Sequence, residues 1–368
     1  MVRPPRCERA VLVAHVGREG AGLDRSLEEL GRLADTAGAR PAATLIQKRG
    51  TVHRAHYIGK GKMEELKALA AAVKADVAIF NDDLSPSQVR NLEAATGVKV
   101  VDRSELILDI FARRARTRES RLQVELAQLQ YTLPRLTGMW KHLERQAGGI
   151  GTRGPGETQL EVDRRKVRER IAALKRQLEA VERERETQRS RRRREFRAAL
   201  VGYTNAGKST LFNALTRADV FVEDRLFATL DATTRKMVSP ERRVVLMTDT
   251  VGFIRKLPHH LVASFRSTLT EATEADLLLH VVNAGDPDRA RQIVAVEGVL
   301  ESILDQPRPT VLVFNQADRL ASSELAEGLR AANPGSFVVS ALKGEGLDAL
   351  REFLWQESAQ RAGAAGAA

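Results

Sequence analysis

The stretch FRAALVGYTNAGKSTLFNAL, residues 196–215, decides the fold of the second half of the chain. An apolar segment typical of a buried strand leads into a glycine loop, and a segment with helical periodicity follows. Four residues fit the pattern G-x4-G-K-[ST] in the strand–loop–helix context that this pattern requires: Gly202, Gly207, Lys208 and Ser209. The stretch therefore predicts a phosphate-binding loop at the end of a parallel strand.

The chemistry of phosphate binding explains the residue types in this loop. Glycines let backbone N–H groups wrap around phosphates, and the N-terminus of the following helix adds positive potential. We expect Lys208 to reach the β- and γ-phosphates and Ser209 to bind Mg²⁺. The predicted nucleotide-binding loop consists of Gly202, Tyr203, Thr204, Asn205, Ala206, Gly207, Lys208, Ser209 and Thr210.

A second motif follows in VVLMTDTVGF, residues 244–253. This strand ends at Asp249, which we expect to hold Mg²⁺ through water, while the N–H of Gly252 would sense the γ-phosphate. Thr229 precedes it in FATLD, in the predicted first switch, and is a further candidate Mg²⁺ ligand. Thr233 and Thr234 compete with Thr229 for that role.

Two further strands end in residues that predict a guanine site. VLVFNQAD, residues 311–318, resembles the N-K-x-D motif of GTPases, and VVSAL, residues 338–342, resembles their S-A motif. A carboxylate at Asp318 can accept both guanine N–H donors, whereas adenine offers no such pair. The predicted guanine-binding residues are Asn315, Gln316, Asp318, Ser340 and Ala341.

Charge and composition restrict the class of protein. Residues 1–197 carry 41 Lys and Arg against 27 Asp and Glu, a net charge of +14, and residues 198–368 carry 18 against 21, or −3. The basic first half favours a polyanionic partner, although a solvated helical surface rich in arginine is the alternative. The single cysteine excludes a disulfide framework, and no apolar run is long enough for a membrane span, so we expect a cytoplasmic protein.

The first segment of the chain alternates strand and helix patterns. Buried strands are predicted at 10–16, 42–47, 77–80 and 98–101, with helical patterns between and after them. This alternation is typical of a small parallel α/β domain, which we place at residues 1–117.

Residues 118–195 are predicted to form an antiparallel helical hairpin, or coiled-coil arm. Apolar residues, all leucine except Trp140, recur at alternating spacings of four and three from Leu122 to Leu143, and a similar apolar pattern runs from Leu160 to Val181. Pro134 is expected to kink the first helix. The intervening stretch GGIGTRGPGETQ, residues 148–159, follows a helix and lacks the Lys-Ser/Thr pair, so it is predicted to be the exposed tip of the arm. Residues 196–358 then form the GTPase domain, and the tail at 359–368 is expected to be disordered.

The chain as a whole resembles the HflX family of ribosome-associated GTPases. The resemblance rests on YIGKGKMEEL (57–66), DRSELILDIFARRART (102–117), LQVELAQLQYTLPRL (122–136), GGIGTRGPGET (148–158) and LFATLDATTR (226–235). It implies an α/β multidomain protein, with an N-terminal parallel α/β domain, a helical hairpin and a P-loop GTPase domain.

The resemblance also implies function. A GTPase of this family binds the large ribosomal subunit in its GTP form and splits or rescues stalled ribosomes, with the arm tip entering the peptidyl-transferase region. GTP or GDP, Mg²⁺ and ribosomal RNA are then the expected ligands, and we expect a monomer. The candidate RNA-contacting residues are Arg145, Gly149, Arg153, Gly154, Lys60 and Lys62. For Lys60 and Lys62, a simple turn before a helix is the alternative.

Three positions bear on hydrolysis and affinity. Gln316 replaces the lysine that usually stacks over guanine, and Phe253 occupies the position where many GTPases carry a water-orienting glutamine, so intrinsic hydrolysis should be slow. Asn205 occupies the position at which potassium-activated GTPases bind a monovalent cation. Alternatively, Asn205 only tolerates the tight backbone of the loop.

Two other functions remain open at the level of sequence. One is an RNA-binding scaffold whose nucleotide domain only gates binding, and the other is a signalling GTPase whose arm contacts protein partners. The positive charge of residues 1–197 favours an RNA partner over a protein partner.

Overall fold

The structure is a computed structural model that describes residues 7–15, 23–48, 51–136, 155–190, 195–216, 226–255, 271–304 and 306–366. The chain forms two compact units. One unit comprises Met1–Arg113 with Arg121–Leu178, and the other comprises Arg114–Ser120 with Glu179–Ala368. Within the described ranges each unit contains one sheet, as the alternating strand and helix patterns of the sequence predict.

The first unit contains a parallel sheet of four strands in the order β2-β1-β3-β4. Consecutive residues of the central strands are buried, such as Val11 with Leu12 and Ile79 with Phe80, as expected for strands covered on both faces. The elements are β1 (Glu8–His15), α1 (Leu23–Ala37), β2 (Ala39–Gln47), α2 (Lys60–Ala72), β3 (Val77–Phe80), α3 (Pro86–Thr96), β4 (Lys99–Val101) and α4 (Arg103–Arg114).

Helix α3 shows how local sequence defines an element in this unit. The hydroxyl of Ser85 accepts a hydrogen bond from the N–H of Gln88, whose side chain bonds back to the N–H of Ser85 in a capping box. Pro86 stands at the first helical position, and Gly97 ends the helix with a φ of 75°. These residues fix both ends of the helix independently of its packing.

The helical region differs from its prediction at both ends of the glycine stretch. Helix α5 (Arg118–Thr132) ends before Pro134 and passes into a 3₁₀ turn (Leu133–Leu136), because proline lacks an N–H and restricts the residue before it. The predicted kinked helix therefore stops here. Helix α6 (Pro155–Ser190) begins within the glycine stretch, with proline in its first turn, so part of the predicted loop is helical. The residues 137–154 lie outside the described residues.

Helices α5 and α6 are joined by an ion pair, and apolar side chains of their predicted seams are buried. Arg170 on α6 donates Nε and Nη2 to the two carboxylate oxygens of Glu125 on α5, at 2.7 and 2.9 Å. Leu174, in the predicted seam of α6, is fully buried, and Leu122 and Leu126 of α5 are buried too. Val124, Ala127 and Tyr131 are also buried, so α5 is covered over more of its surface than a two-helix seam requires.

The second unit contains a six-stranded sheet in the order β10-β9-β8-β5-β7-β6, parallel except for β6. Its apolar core packs α7 and α10 against one face of the central strands. The elements are β5 (Phe196–Gly202), α7 (Lys208–Thr216), β6 (Thr233–Val238), β7 (Val244–Asp249), β8 (Leu277–Asn283), α8 (Arg289–Ile303), β9 (Thr310–Asn315), a 3₁₀ turn (Ala317–Arg319), α9 (Ser323–Ala332), β10 (Phe337–Val338) and α10 (Leu347–Gly366).

The C-terminal segment corrects one expectation. The tail predicted to be disordered at 359–368 is helical through Gly366, because its alanines are strong helix formers that extend α10. Arg361 forms an ion pair with Asp276, next to the start of β8, so this extension of the helix contacts the body of its unit. Among the described residues, no helix has both the length and the apolar character needed to cross a membrane.

Candidate nucleotide site

The predicted phosphate loop lies between β5 and α7, at the carboxyl edge of the second sheet. Two of its positions require glycine because atoms of neighbouring strands approach the backbone closely. A Cβ on Gly202 would lie 2.2 Å from the carbonyl oxygen of Val281, and one on Gly207 would lie 2.4 Å from Nδ2 of Asn315. Both also adopt positive φ angles, of 149° and 83°. Only glycine fits these positions without displacing the neighbouring strands.

Lys208 is buried beneath this loop. Its Nζ donates hydrogen bonds to the carbonyl oxygens of Gly202 and Tyr203, at 3.1 and 2.8 Å. Burial lowers the pKa of Lys208 to about 8, and the negative charge of Asp249 opposes that shift. A buried cation whose hydrogen bonds go to carbonyl oxygens is well suited to an anionic ligand.

Three oxygen-bearing side chains meet beside Lys208. The hydroxyl of Ser209 lies 2.7 Å from Oδ2 of Asp249 and 2.8 Å from the hydroxyl of Thr229, which is itself 3.1 Å from the same carboxylate oxygen. Burial raises the pKa of Asp249, which is fully inaccessible to solvent. Within the described residues, Oδ1 of Asp249 has no hydrogen-bond partner.

This donor set fits a hard divalent cation. Carboxylate and hydroxyl oxygens are the ligands that Mg²⁺ prefers, and an unpaired buried carboxylate oxygen is the kind of group that a cation or its water would satisfy. The structure brings together all three predicted ligands. Of the three candidate threonines, Thr229 is the one that contacts Ser209 and Asp249, whereas the hydroxyl of Thr234 bonds to Thr248.

The second motif packs directly on the loop. The N–H of Thr204 donates to the carbonyl oxygen of Phe253, and the N–H of Phe253 donates to that of Gly202, at 2.7 and 3.0 Å. A Cβ on Gly252 would lie 2.8 Å from Cα of Thr204 and 2.9 Å from Nζ of Lys208. The backbone of Gly252 therefore reaches the loop as closely as the motif requires, while the ring of Phe253 is buried.

The predicted guanine residues are tied to the phosphate loop. Asn315 donates from Nδ2 to the carbonyl oxygens of Ala206 and Gly207, both at 3.2 Å, and its Oδ1 accepts from the N–H of Ala341 at 3.1 Å. Gln316 donates to the carbonyl oxygen of Asn205 at 3.1 Å. One residue of β9 thus links the loop to the S-A segment.

Asp318 and Ser340 also meet, as the two motifs predict. The hydroxyl of Ser340 donates to Oδ1 of Asp318 at 2.6 Å and accepts from the N–H of Lys343 at 3.2 Å. This contact orients the carboxylate whose acceptors would recognise guanine. Asn205 has a φ of 63°, so the alternative based on the tight backbone of the loop accounts for an asparagine here.

The loop borders a cavity that opens to solvent. It is lined by residues of the phosphate loop, of the predicted first switch and of the second motif at 244–253: Thr204, Asn205, Gly207, Lys208, Ser209, Thr210, Phe227, Ala228, Thr229, Thr250 and Gly252.

Some features of the site were not predicted from sequence. The N–H of Arg255 donates to the phenolic oxygen of Tyr203 at 2.7 Å, and its guanidinium reaches Asp288 at 2.6 Å. Two of these residues lie outside the recognised motifs, so no spacing rule indicates them.

The predicted RNA-contacting residues are described only in part. Lys60 and Lys62 lie in the first turn of α2, where Lys60 is exposed and Lys62 pairs with Glu65 at 2.7 Å. Both lysines are therefore helical rather than part of a turn that precedes the helix, and the N–H of Gly59 just before them donates to Gln47. The other four candidates, Arg145, Gly149, Arg153 and Gly154, lie outside the described residues.

Comparison with known proteins gives a consistent result along the chain. Three family models match consecutive segments: GTP-binding GTPase N-terminal at residues 24–112, GTP-binding GTPase Middle Region at 114–192, and 50S ribosome-binding GTPase at 197–316. A structure described as a complex of SsGBP with GDP aligns over 96% of this chain and 99% of that one. Its TM-score is 0.52 at 24% identity, which supports the fold.

Related proteins match this chain over nearly its whole length. The GTPase HflX of Caldanaerobacter subterraneus subsp. tengcongensis is 53% identical over 95% of this chain and 80% of its own length. The GTPase HflX of Escherichia coli is 46% identical over 96% of this chain and 84% of its own length. Together with the geometry of the nucleotide site, these matches show that the chain belongs to the HflX family of P-loop GTPases.

Proposed function

We propose that this GTPase binds the large ribosomal subunit in its GTP form and splits or rescues stalled ribosomes. The observation that carries the proposal is the match of residues 197–316 to the 50S ribosome-binding GTPase model, on a chain whose first 197 residues are strongly basic. Proteins that bind ribosomal RNA need such a charge to contact phosphates.

The nucleotide chemistry follows from the residues of the site. The backbone of the phosphate loop and Lys208 would hold the β- and γ-phosphates, and Asp318 would select guanine. Ser209, Thr229 and Asp249 would hold Mg²⁺, directly or through water, and the ion would neutralise charge that develops between the phosphates. Because the buried ring of Phe253 cannot orient a water molecule, fast hydrolysis would need a group from outside the chain, for which the large subunit is our candidate.

Sedimentation with isolated ribosomal subunits tests the proposal. Pelleting with the large subunit in a non-hydrolysable GTP analogue, but not in GDP, is the expected result. Binding that ignores the nucleotide would favour an RNA-binding scaffold instead, and failure to pellet in either state would favour a signalling GTPase with protein partners.

The helical region supplies a second test. Helix α6 has 36 residues, so it is about 54 Å long and extends to the glycine stretch at its N-terminal end. Deleting residues 150–156 should abolish ribosome-dependent activity while GDP affinity stays unchanged. Full ribosome splitting by the deletion variant would remove the tip from the mechanism.

A role for potassium at Asn205 also stays a prediction. It requires faster GTP hydrolysis in potassium than in sodium at equal ionic strength, with the difference lost in Asn205→Ala. Equal rates in both salts, with and without ribosomes, would leave only the backbone role that its left-handed conformation indicates.

A further inference from the structure

A carboxylate just after the candidate magnesium ligand Thr229 binds a part of the chain that lies far away in sequence. Asp231 accepts three hydrogen bonds from residues 116–117: its Oδ2 accepts the N–H groups of Arg116 and Thr117, at 3.0 and 3.3 Å, and its Oδ1 accepts the hydroxyl of Thr117 at 2.7 Å. These donors belong to the same compact unit as the nucleotide site, although they precede α5 and lie outside the matched GTPase segment at 197–316.

Thr117 itself caps helix α5. Its hydroxyl oxygen accepts the N–H of Ser120 at 3.1 Å, and its proton faces Oδ1 of Asp231 at 2.7 Å as well as the more distant Oγ of Ser120 at 3.0 Å. An acidic side chain at this position also interacts favourably with the positive end of the helix. Thr117 therefore joins the first turn of α5 to the segment that carries Thr229.

The connection between Asp231 and Thr229 is short. The one residue between them, Leu230, is buried, and so are Leu226 and Phe227 at the start of the same segment. The hydroxyl of Thr229 contacts Ser209 and Asp249, so a displacement of Asp231 would be transmitted over a single anchored residue to the candidate magnesium site.

We propose that Thr117 and Asp231 are positioning residues for Thr229, so that the start of helix α5 stabilises the GTP-bound form of the site. In GTPases of this class the γ-phosphate and Mg²⁺ order the switch threonine, and this ordering is released after hydrolysis. Removing the contact should then weaken GTP binding selectively. The proposal rests on the assignment of Thr229 as a magnesium ligand, and it is independent of ribosome binding.

Thermodynamic linkage makes the coupling between the Thr117–Asp231 contact and nucleotide binding reciprocal. If the contact favours the triphosphate form, then binding of a triphosphate must stabilise the contact by the same factor. The first turn of α5 should accordingly exchange its amide hydrogens more slowly in the analogue-bound chain than in the GDP-bound chain. The first residues of α5, up to Ser120, belong to the nucleotide-binding unit, so this exchange reports on the same unit as the nucleotide site.

The test uses the full chain without ribosomes. Affinities for GDP and for a non-hydrolysable GTP analogue are measured by fluorescence titration across a range of Mg²⁺ concentrations. Thr117→Val and Asp231→Ala should weaken the analogue about fivefold to tenfold and raise the Mg²⁺ concentration needed for half-saturation, because hydrogen bonds to a charged group are lost. Affinity for GDP should not change, and Thr117→Ser, which keeps the hydroxyl, should behave like the wild type.

The matched control removes an equivalent helix cap elsewhere. Ser85→Ala deletes the capping hydroxyl of α3, so it should lower stability without changing the ratio of the two affinities. The proposal is overturned if Thr117→Val and Asp231→Ala weaken GDP and the analogue equally, if they weaken neither, or if Ser85→Ala alters the ratio as they do. Wild-type binding of both nucleotides in the same assay tests the GTPase assignment separately.

Discussion

The two sheets of this protein both place charged residues after their carboxyl edges, yet they use those charges differently. In the second sheet, Lys208 bonds to carbonyl oxygens and Asp249 bonds to hydroxyls. In the first, Asp102 follows β4 and receives the guanidinium of Arg135 at 3.0 Å, in addition to the N–H groups of Leu84 and Glu105.

This difference distinguishes a site that can bind a ligand from an anchor, which here is the ion pair between Arg135 and Asp102. Arg135 also donates to the carbonyl oxygen of Leu84, and its guanidinium lies 3.4 Å from the ring centre of Tyr131 on α5. A buried charge with an opposite charge as its partner holds two parts of the fold together. A buried cation that is hydrogen-bonded to carbonyl oxygens rather than to a carboxylate remains available for a charged ligand, which is what the nucleotide site requires.

The largest expected effect comes from removing the buried cation of the nucleotide site. Lys208→Met should weaken both GDP and GTP by roughly a hundredfold, because at least two charge-assisted hydrogen bonds to phosphate are lost. The thermal stability of the nucleotide-free protein should not fall, since a buried charge held by neutral groups is removed. Fluorescence titration and calorimetry measure the two quantities, with Lys62→Met as the control. Normal GDP affinity in Lys208→Met would invalidate the site.

The anchor should show the opposite pattern. Arg135→Ala leaves the fully buried Asp102 without its cation, so the free energy of unfolding should fall by about 3 kcal/mol while GDP affinity is unchanged. Arg170→Ala breaks a more exposed pair on α6 and should cost less than about 1 kcal/mol. Urea titration compares the two variants, and equal losses would contradict the distinction.

Base selection should depend on one carboxylate. Asp318→Asn presents a donor where guanine needs an acceptor, so GTP affinity should fall by roughly thirtyfold and affinity for xanthosine triphosphate should rise. Asp348→Asn, an exposed acidic residue at the start of α10, serves as the control. Unchanged GTP affinity in competition titrations would remove Asp318 from the guanine site.

A last effect concerns pH and the anchor. Burial raises the pKa of Glu105 from 4.5 to about 7. The positive charge of Lys99 opposes this shift, and the negative charge of Asp102 adds to it. Because the folded state binds this proton more tightly than the unfolded state, the stabilisation is complete below about pH 4.5 and is lost as the pH rises through 7. Glu105→Gln should flatten the stability profile between these values. If the free energy of unfolding, measured by urea titration at several pH values, has the same pH dependence in both proteins, Glu105 is excluded as the source of that dependence.

Local patterns predicted the nucleotide site because each of its motifs lies at the end of one strand. The spacing from Gly202 to Ser209 and the carboxylates at Asp249 and Asp318 sufficed, since parallel strands bring their carboxyl ends together. Three threonines share the same short segment, so only the structure shows that the hydroxyl of Thr229 contacts Ser209 and Asp249.

Long-range contacts between irregular segments could not be predicted. Thr117 and Asp231 are separated by 114 positions, and neither belongs to a periodic pattern. The heptad pattern predicted a helix kinked at Pro134, whereas the α-helix ends at Thr132 and a 3₁₀ turn contains the proline. Periodicity indicates which face is buried, but proline decides where the helix ends.

Light scattering by whole ribosomes tests the proposed function most directly. The wild-type chain with GTP should lower the scattering as ribosomes separate into subunits, and Lys208→Met should leave it unchanged at the same protein concentration. No change with the wild type, or an equal decrease with both proteins, would contradict the proposal that this GTPase splits ribosomes in its GTP form.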